Sequence, residues 1–257
     1  MLVTTSYAPT QGNLLKAAQL ATELQGKLVA RGKESLAGLR EQFNEDCVLL
    51  VTKDEIRYYV EEQPPIFFHP SMGAVRVKRW LRGEVDLLVQ ACQVVEGDSV
   101  VDCTAGLASD SLVLSCAVGV QGCVIALESE AIPAMLIREG LAAYDSDIPE
   151  MTEAMRRIQV VHLDHFSYLR GLADQSVDVV YFDPMFRRPI EESNSISPLR
   201  QVANGNAITA ETMHEARRVA RKTIVLKEHK KSSEFARLGF TNVLRSNTKI
   251  TYGVIQL

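Results

Sequence analysis

Three carboxylates of the sequence are spaced so that they could bind a nucleoside together. Asp102, Glu128 and Asp164 each stand at or just past the end of a short apolar run that is typical of a strand. Glu128 could accept hydrogen bonds from both ribose hydroxyls, and Asp164 could accept one from an adenine amine. Taken singly, Glu128 is equally typical of an acid at a helix N-terminus, and Asp164 of a helix cap. Their repetition after three successive runs favours the nucleoside site.

The turn that follows Asp102 consists of small residues, Cys103-Thr104-Ala105-Gly106, and leads into a predicted helix that starts at Ser109. Such a turn lets the backbone approach a ligand closely, and the first N–H groups of a helix can bind anionic atoms. A turn with one glycine is weak evidence by itself. It also lacks the G-x-G-x-x-G fingerprint of dinucleotide-binding dehydrogenases, so the segment does not predict NAD binding.

From Asp98 onwards, short apolar runs alternate with helical segments. The predicted strands are residues 99–102, 123–127, 158–162, 177–182 and 223–227. The predicted helices between them are residues 109–117, 131–144, 165–172 and 210–221. Apolar runs separated by helices are typical of parallel strands that are buried on both faces. Right-handed connections then produce an open doubly wound sheet, which binds its ligands beyond the carboxyl ends of the strands.

The last two β-rich runs, residues 241–245 and 249–256, predict an antiparallel hairpin. We therefore expect an α/β fold with a doubly wound, mainly parallel, Rossmann-like sheet that ends in this hairpin. This domain covers residues 98–257. A helical connector with a break near Gly83 precedes it at residues 73–97, and a small α/β unit occupies residues 1–72. The elements predicted in the small unit are strands at 2–6 and 27–30, helices at 10–25 and 35–43, and a hairpin of 47–52 with 56–61.

The bulk composition is ordinary for a globular protein. The 257 residues are 46% hydrophobic and 23% charged, and no apolar run approaches the roughly 20 residues that a membrane span needs. The N-terminal residues lack the basic start and apolar stretch of a secretion signal. Five cysteines without a CxxC pair argue against a disulfide framework and against a zinc site. We therefore expect a cytoplasmic protein with reduced thiols and no bound metal.

The charge of the whole molecule does not point to nucleic acid, because its net value is −4. A local basic face can still bind nucleic acid. Basic residues cluster at positions 76–82, 187–188, 217–222 and 227–231. Each cluster could equally be a solvated surface, and its position relative to a pocket decides between the two interpretations.

The run Tyr181-Phe182-Asp183-Pro184-Met185-Phe186 is the most specific motif in the sequence. It resembles the Asp/Asn-Pro-Pro-aromatic motif of methyltransferases that modify planar amino groups. More narrowly, it is similar to the Leu-Asp-Pro-Met-Phe segment of the bacterial small-subunit ribosomal RNA guanine-N2 methyltransferases. The run Asp102-x-Thr104-Ala105-Gly106-Leu107 with Asp110 resembles the first motif of that family, and Val225-Leu226-Lys227 resembles its fifth strand. The resemblance covers residues 100–228 and implies the class I methyltransferase fold.

The resemblance also implies a cofactor, S-adenosylmethionine (SAM). The residues that it implies for cofactor binding are Asp102, Thr104, Gly106, Ser109, Asp110, Glu128, Ser129, Asp164, His165 and Asp183. The family usually has Gly-Arg-Asp where this chain has Ala108-Ser109-Asp110, so one cationic donor is missing here. Outside this region, Thr4-Thr5-Ser6-Tyr7 and His69-Pro70-Ser71-Met72 resemble segments of uncharacterised Firmicute methyltransferase-like proteins.

The chemistry that such a motif supports is methylation of an exocyclic amine. The amine of guanine or adenine is a poor nucleophile because its lone pair is delocalised into the ring. An acceptor held against its N–H groups favours the nucleophilic geometry, and we assign this role to Asp183, with the carbonyl of Pro184 as a second acceptor. Phe186 could stack on the flipped-out base. The structural alternatives are an Asp-Pro turn and a core position for Phe186.

Further candidates for substrate binding follow this motif. Residues 187–206 have no periodicity and are rich in Arg, Ser, Asn, Pro and Gly. A loop of this length could be a lid that carries Arg187, Arg188 and Arg200 to phosphates, or it could be a surface loop without that role. Lys227, just past the fifth predicted strand, could also contact a phosphate, and its alternative is a solvated strand end.

Together these features predict a SAM-dependent N-methyltransferase that acts on an exocyclic amine of a nucleic-acid base, guanine in ribosomal RNA. Two alternatives stay open. The Asp-Pro-aromatic arrangement serves any planar nitrogen, so the substrate could be a protein amide or a small amine. The fold could also belong to a non-catalytic module that contacts RNA or protein, although Glu128, Asp164 and Asp183 argue against it. The sequence does not indicate an oligomeric state.

Overall fold

The N-terminal part of the chain forms a small five-stranded sheet with two helices. The computed structural model describes residues 1–61, 63–184, 207–244 and 248–257. The elements of the N-terminal part are β1 (Leu2–Thr5), α1 (Gln11–Glu23), β2 (Lys27–Leu28), α2 (Leu36–Phe43), β3 (Cys47–Val51), β4 (Ile56–Val60) and β5 (Ile66–Phe67). The strand order is β2-β1-β3-β4-β5. Strands β2, β1 and β3 are parallel, whereas β3 and β4 form the predicted antiparallel hairpin.

Side-chain caps explain where the two helices of this part begin. The Thr10 hydroxyl accepts a hydrogen bond from the backbone N–H of Asn13, and the Asn13 side chain accepts one from the backbone N–H of Thr10. Ser35 caps α2 by accepting a hydrogen bond from the backbone N–H of Gly38 at 2.9 Å. Such caps satisfy N–H groups that have no partner within the helix. The predicted helix starts at Thr10 and Ser35 are confirmed.

Two helices, α3 (Ser71–Leu81) and α4 (Leu87–Cys92), link the small sheet to the rest of the chain. The predicted break near Gly83 is confirmed, and Gly83 has the positive φ of +86° that favours glycine. The expectation of a turn-rich crossing at residues 67–73 is wrong at its end, because α3 already begins at Ser71. Pro70 precedes it with helical backbone angles and therefore starts the helix without a side-chain cap. The division of the chain at residue 72 stays a prediction.

A seven-stranded sheet dominates the remainder of the chain. Its strands are β6 (Ser99–Asp102), β7 (Cys123–Glu128), β8 (Ile158–His162), β9 (Val177–Phe182), β10 (Ala220–His229), β11 (Asn242–Val243) and β12 (Ile250–Gln256). The strand order is β11-β12-β10-β9-β6-β7-β8. Strands β8, β7, β6, β9 and β10 are parallel, and β12 pairs antiparallel with both β10 and β11. The predicted doubly wound sheet with a C-terminal antiparallel hairpin is confirmed.

Six helices accompany this sheet in the described residues: α5 (Ser109–Val118), α6 (Ala131–Ala143), α7 (Pro149–Arg157), α8 (His165–Arg170), α9 (Ala210–Val219) and α10 (Glu234–Leu238). Four of them match predicted helices. The sequence pattern does not predict α7 or α10. In α7 the buried residues are Met151, Ala154 and Met155, a spacing of three and four that is typical of one helix face. Its many charged residues lie on the other side and obscure the pattern.

The strand β9 shows how the core positions the carboxyl edge of the sheet. All six of its residues are buried. Val179 and Tyr181 belong to the core on one face of the sheet, and Val180 and Phe182 to the core on the other. Burial of one such side chain contributes about 1.5–3 kcal/mol, so the end of β9 is held firmly between the two layers. The next residue in the chain is Asp183.

Three further properties of the described residues bear on function. No helix among them is long and apolar enough to cross a membrane. All five cysteines are present as free thiols. Nowhere in these residues do three His, Cys, Asp or Glu side chains come together in a way that could hold a metal ion.

Candidate active site

The carboxyl ends of four neighbouring parallel strands bring the predicted acids to one edge of the sheet. Asp102 is the last residue of β6 and lies opposite Tyr181 of β9, so Asp183 stands two residues beyond this level. On the other side, Glu128 is the last residue of β7 and lies opposite His162 of β8. After β6 the chain adds β7 and β8 on one side of β6, and it then crosses over to add β9 on the other side. This edge is therefore the topological switch point, where doubly wound sheets bind ligands.

The small-residue turn after β6 is tied to both neighbouring strands. The backbone N–H of Cys103 donates to the carbonyl of Tyr181 at 2.8 Å, and that of Ala105 donates to the carbonyl of Leu127 at 2.9 Å. The Thr104 hydroxyl accepts a hydrogen bond from the backbone N–H of Asp183 at 2.5 Å. Thr104 therefore fixes the backbone at the start of the Asp-Pro segment.

Open space lies beside the glycine of this turn. Gly106 has a φ of +56°, and a Cβ built on it would meet no atom within 4 Å. The same turn contains Ala108 at a φ of +58°, directly before α5. A backbone with this curvature and no side chain on its open side leaves room for a ligand to lie against it. The predicted close approach of backbone and ligand is thus sterically possible at Gly106.

The carboxylate of Asp102 is buried under this turn. It accepts a hydrogen bond from the Ser111 hydroxyl at 2.5 Å and one from the backbone N–H of Thr104 at 3.1 Å. Burial raises the pKa of Asp102 to about 7, and the negative charge of Asp110 adds to the rise, although the Ser111 hydrogen bond opposes it. A positive charge near this edge of the sheet would lower that pKa and stabilise the ionised form.

Glu128 also lies buried at this edge, with one carboxylate oxygen 3.0 Å from the backbone N–H of Glu130. Burial raises its pKa, and hydrogen bonds from the backbone N–H groups of Glu130, Ser129 and Gly106 oppose the rise. The side chain is thus held in place by backbone on both sides. Its carboxylate oxygens retain lone pairs that could accept further hydrogen bonds from a ligand.

Asp164 and His165 stand at the start of α8, beyond the end of β8. Asp164 caps this helix by accepting a hydrogen bond from the backbone N–H of Ser167 at 3.0 Å, and the hydrogen bonds from Ser167 lower the pKa of Asp164. The ring of His165 packs edge-on against Phe182, with 5.9 Å between ring centroids, and burial lowers its pKa. The cap that was the alternative for Asp164 is therefore present. It occupies one carboxylate oxygen and is compatible with a second bond to a ligand.

Asp183 belongs to a cluster of charged groups in which Lys227 is central. The Lys227 ammonium lies 2.8 Å from a carboxylate oxygen of Asp183 and 2.8 Å from one of Asp110. Burial raises the pKa of Asp183 to about 6, with the charge of Lys227 lowering it and that of Asp110 raising it. Burial alone would raise the pKa of Asp110 too, but Lys227 and Arg76 hold it well below its usual range.

Several residues of this cluster are not evident from the sequence. Arg76 of α3 forms an ion pair with Asp110 and a second one, at 2.8 Å, with Asp86 at the start of α4. The Tyr181 hydroxyl donates to Asp110 at 2.7 Å. The partners of Asp110 are 34, 71 and 117 positions away in the chain. A basic residue in a helix and a tyrosine inside an apolar strand carry no local sign of this pairing.

Four of the residues discussed from the sequence, Phe186, Arg187, Arg188 and Arg200, lie outside the described residues. Pro184 is the last described residue of the motif and is half-buried. Lys227, a candidate for phosphate contact, has its ammonium engaged with two carboxylates. Ser109 lies where α3 meets α5, because a Cβ on Gly73 would stand 2.8 Å from the Ser109 carbonyl oxygen.

The donor set fits a cofactor with a nucleoside and a positive charge. Within the described ranges, Asp102 and Glu128 have no ion-pair partner, although both are buried at the edge that carries Asp183. Buried carboxylates are costly without a compensating charge. SAM has a sulfonium and an ammonium group together with an adenosine moiety, and thus provides both the charge and the hydroxyls that these side chains can accept.

Comparisons with known proteins agree with this fit. A family described as "Putative SAM-dependent methyltransferase" matches residues 34–248. The protein YpiP of Bacillus subtilis, itself uncharacterised, is 41% identical over 255 residues and the match covers 99% of each chain. Ribosomal RNA small subunit methyltransferase J of Acinetobacter baumannii is 35% identical over 119 residues, which are 46% of this chain and 41% of that relative.

The fold has a counterpart among solved structures. A SAM-dependent methyltransferase from Neisseria gonorrhoeae superimposes with a TM-score of 0.69 at 19% sequence identity, over 100% of this chain and 96% of that one. At this identity the likeness concerns the fold. The family match covers most of the sequence and includes Asp102 and Glu128, which end their strands, and Asp183, which follows the end of β9. The chain therefore belongs to the family of SAM-dependent methyltransferases.

Proposed function

We propose that this methyltransferase modifies an exocyclic amine of an RNA base, guanine in ribosomal RNA. The observation that carries the proposal is the position of Asp183. Its carboxylate stands at the switch point, largely buried but with 25% of its side-chain surface exposed, and is followed by Pro184. A carboxylate and a backbone carbonyl at the carboxyl edge of a methyltransferase sheet are acceptors suited to the two N–H groups of a planar amine.

The cofactor would be held by the residues that surround the small-residue turn. Glu128 would accept hydrogen bonds from the ribose hydroxyls and Asp164 one from the adenine amine, and the open backbone at Gly106 would leave room for the amino-acid part. When bound, SAM would supply an electrophilic methyl group to the amine nitrogen, and its sulfur would keep the electron pair of the carbon–sulfur bond. Thr104, through its bond to the backbone of Asp183, keeps the acceptor next to this cofactor site.

Asp183 has two tasks in this proposal. Its ionised carboxylate accepts a hydrogen bond from the amine and so aligns the nitrogen lone pair. It then receives the proton that the nitrogen loses once it has been methylated, directly or through a water molecule. A pKa of about 6 suits this role, because the group is ionised at neutral pH and is basic enough to take a proton. Phe186 would stack on the base, as the sequence predicts.

Ribosomal RNA is favoured as the substrate by the relatives whose name refers to it, although they match less than half of this chain. Two exposed lysines, Lys230 and Lys231, follow directly after the carboxyl end of β10 and so stand at the same edge of the sheet as Asp183. They could contact phosphates of a substrate bound at this edge, as Arg187 and Arg188 are predicted to do. Since ribosomal RNA is the proposed substrate, we also propose that the enzyme acts in the cytoplasm.

The test is mass spectrometry of nucleosides. Ribosomal RNA and transfer RNA would be isolated from a strain that lacks the gene, from the same strain with the gene restored, and from one that carries Asp183→Ala. The proposal expects one N-methylated guanosine in small-subunit ribosomal RNA that only the restored wild-type gene returns. Identical nucleoside profiles in all three strains would refute RNA as the substrate and favour a protein amide or a small amine.

A further inference from the structure

Five side chains of alternating charge form a continuous chain that ends at Asp183. The order is Asp86, Arg76, Asp110, Lys227 and Asp183. Arg76 bonds Asp86 through two nitrogens at 2.8 Å each. Lys227 bonds both its carboxylate neighbours at 2.8 Å. This series of charged side chains extends from the helices α3 and α4 through α5 to β10, and it ends at the switch point.

Burial makes this chain of charges unlike a surface network. The side chain of Asp110 is only 9% exposed, and those of Lys227 and Arg76 are 21% exposed. Exposed ion pairs move freely and contribute little. Buried ones hold their geometry, because loss of one partner leaves an uncompensated charge in a poorly solvated place. Each member here therefore restricts the position of the next.

Asp110 is the fixed point that determines where the Lys227 ammonium lies. One of its oxygens pairs with Arg76, and the other accepts from both the Tyr181 hydroxyl and Lys227. Tyr181 is completely buried. With both oxygens engaged by residues from three different elements, Asp110 has little capacity left for a ligand. Its contacts are those of a support for Lys227.

We propose that Lys227 is a positioning residue of the methyl transfer: held by Asp110 and Arg76, its ammonium binds one carboxylate oxygen of Asp183 and leaves the other to the substrate amine. The inference rests on the proposed function, since it assigns a partner to the acceptor named there. It also assigns a role to the connector helices, which supply Arg76 and Asp86. Lys227 then acts on Asp183 and does not contact phosphate.

The titration of Asp183 provides the test. The titratable and charged groups that face this carboxylate are Lys227 of β10, Asp110 of α5, Tyr181 of β9 and Asp102 of β6, and the groups behind them are Arg76 of α3 and Tyr252 of β12. Loss of the Lys227 charge should raise the pKa of Asp183, since an opposite charge favours ionisation. Loss of the Asp110 charge should lower it, since a like charge opposes ionisation.

The experiment is a pH titration by carbon NMR of protein labelled with carboxyl-¹³C aspartate, with the Asp183 signal identified from Asp183→Asn. We expect Lys227→Met to move the midpoint of Asp183 upwards by about 1–3 pH units and Asp110→Asn to move it downwards. Lys227→Arg, which keeps the charge, should stay near the wild-type midpoint. The matched control is Lys222→Met. Lys222 lies on the same strand, but its ammonium pairs with Asp98 away from the site, so this substitution should leave the titration midpoint of Asp183 unchanged.

An unchanged midpoint in Lys227→Met, or shifts of the same sign in Lys227→Met and Asp110→Asn, would overturn the positioning role. If Lys227→Met does not fold, Lys227→Gln permits the same comparison. Methyl transfer to small-subunit ribosomal RNA is measured separately, and Lys227→Met should lower kcat while the KM for SAM changes little. If the variants show the expected shifts of the Asp183 midpoint but the wild-type protein transfers no methyl group to RNA, the proposed substrate is refuted and the positioning role of Lys227 stays supported.

Discussion

Replacement of Glu128 by glutamine tests whether one carboxylate oxygen of this residue accepts a hydrogen bond from the ribose of SAM. The substitution keeps the size of the side chain but exchanges one acceptor oxygen for an NH₂ group, which cannot accept from a ribose hydroxyl. The backbone N–H of Glu130 bonds one oxygen of Glu128 at 3.0 Å, and the oxygen that glutamine keeps can retain this bond. We expect the fold to be retained and the affinity for SAM to fall.

The size of the effect follows from the kind of bond that is lost. A hydrogen bond to a charged group is worth about 1.5–3 kcal/mol when its partner stays buried. Each 1.4 kcal/mol corresponds to a factor of ten, so the Kd for SAM should rise by about 10- to 150-fold. The demethylated product, S-adenosylhomocysteine, has the same ribose and should lose a similar factor.

Isothermal titration calorimetry with both ligands measures this change, and Glu153→Gln on the exposed face of α7 is the matched control. The pH dependence gives a second readout. Because burial raises the pKa of Glu128, wild-type affinity should fall as the pH is lowered through that pKa, and the difference from Glu128→Gln should narrow. A Kd within a factor of two of the wild type at neutral pH, in a folded variant, would refute the ribose contact.

Three other variants address catalysis, packing and buried charge. Asp183→Ala should lower methyl transfer by on the order of 100-fold or more with SAM affinity largely kept; lost SAM binding with normal turnover per bound SAM would contradict this. Gly140→Ala should lower the free energy of unfolding in urea by about 1–3 kcal/mol, because its Cβ would stand 2.1 Å from Phe68, whereas Gly12→Ala, with its nearest atom at 3.7 Å, should not. As the pH rises from about 4 to about 7, Asp102→Asn should become more stable relative to the wild type, because a pKa raised to about 7 keeps a proton on folded Asp102 that the unfolded chain has released; a difference in the free energy of unfolding that stays constant over this range would refute this.

The parallel strands could be predicted because the apolar composition of each one indicates that it is buried. In β9 every residue is buried, and the apolar run shows this without reference to the rest of the chain. The carboxyl edge could also be predicted, since the topology of a doubly wound sheet places the ends of its strands together. Asp102, Glu128 and Asp183 are therefore found at one edge, although no two of them are neighbours in sequence.

The support of the site could not be predicted in the same way. An ion pair between Arg76 and Asp110 depends on how α3 packs against α5, and that packing is set by the close approach of Gly73 to Ser109. In the local sequence, Arg76 and Asp110 do not differ from ordinary charged residues on a helix. Lys227 illustrates the limit best: at the end of a strand its type suggests a contact with solvent or phosphate, and only the tertiary structure places Asp110 beside it.

This arrangement also explains why an acidic group at the end of β9 can be both buried and chemically useful. Burial disfavours the ionised form of a carboxylate, and a lysine held beside it favours that form and makes the carboxylate a weaker base. Lys227 is shared between Asp183 and Asp110, so its charge only partly offsets the burial of Asp183. Burial raises the pKa of Asp183 to about 6, the charge of Lys227 opposes the rise and that of Asp110 adds to it, so the second carboxylate contributes to the basicity of the acceptor together with the lysine.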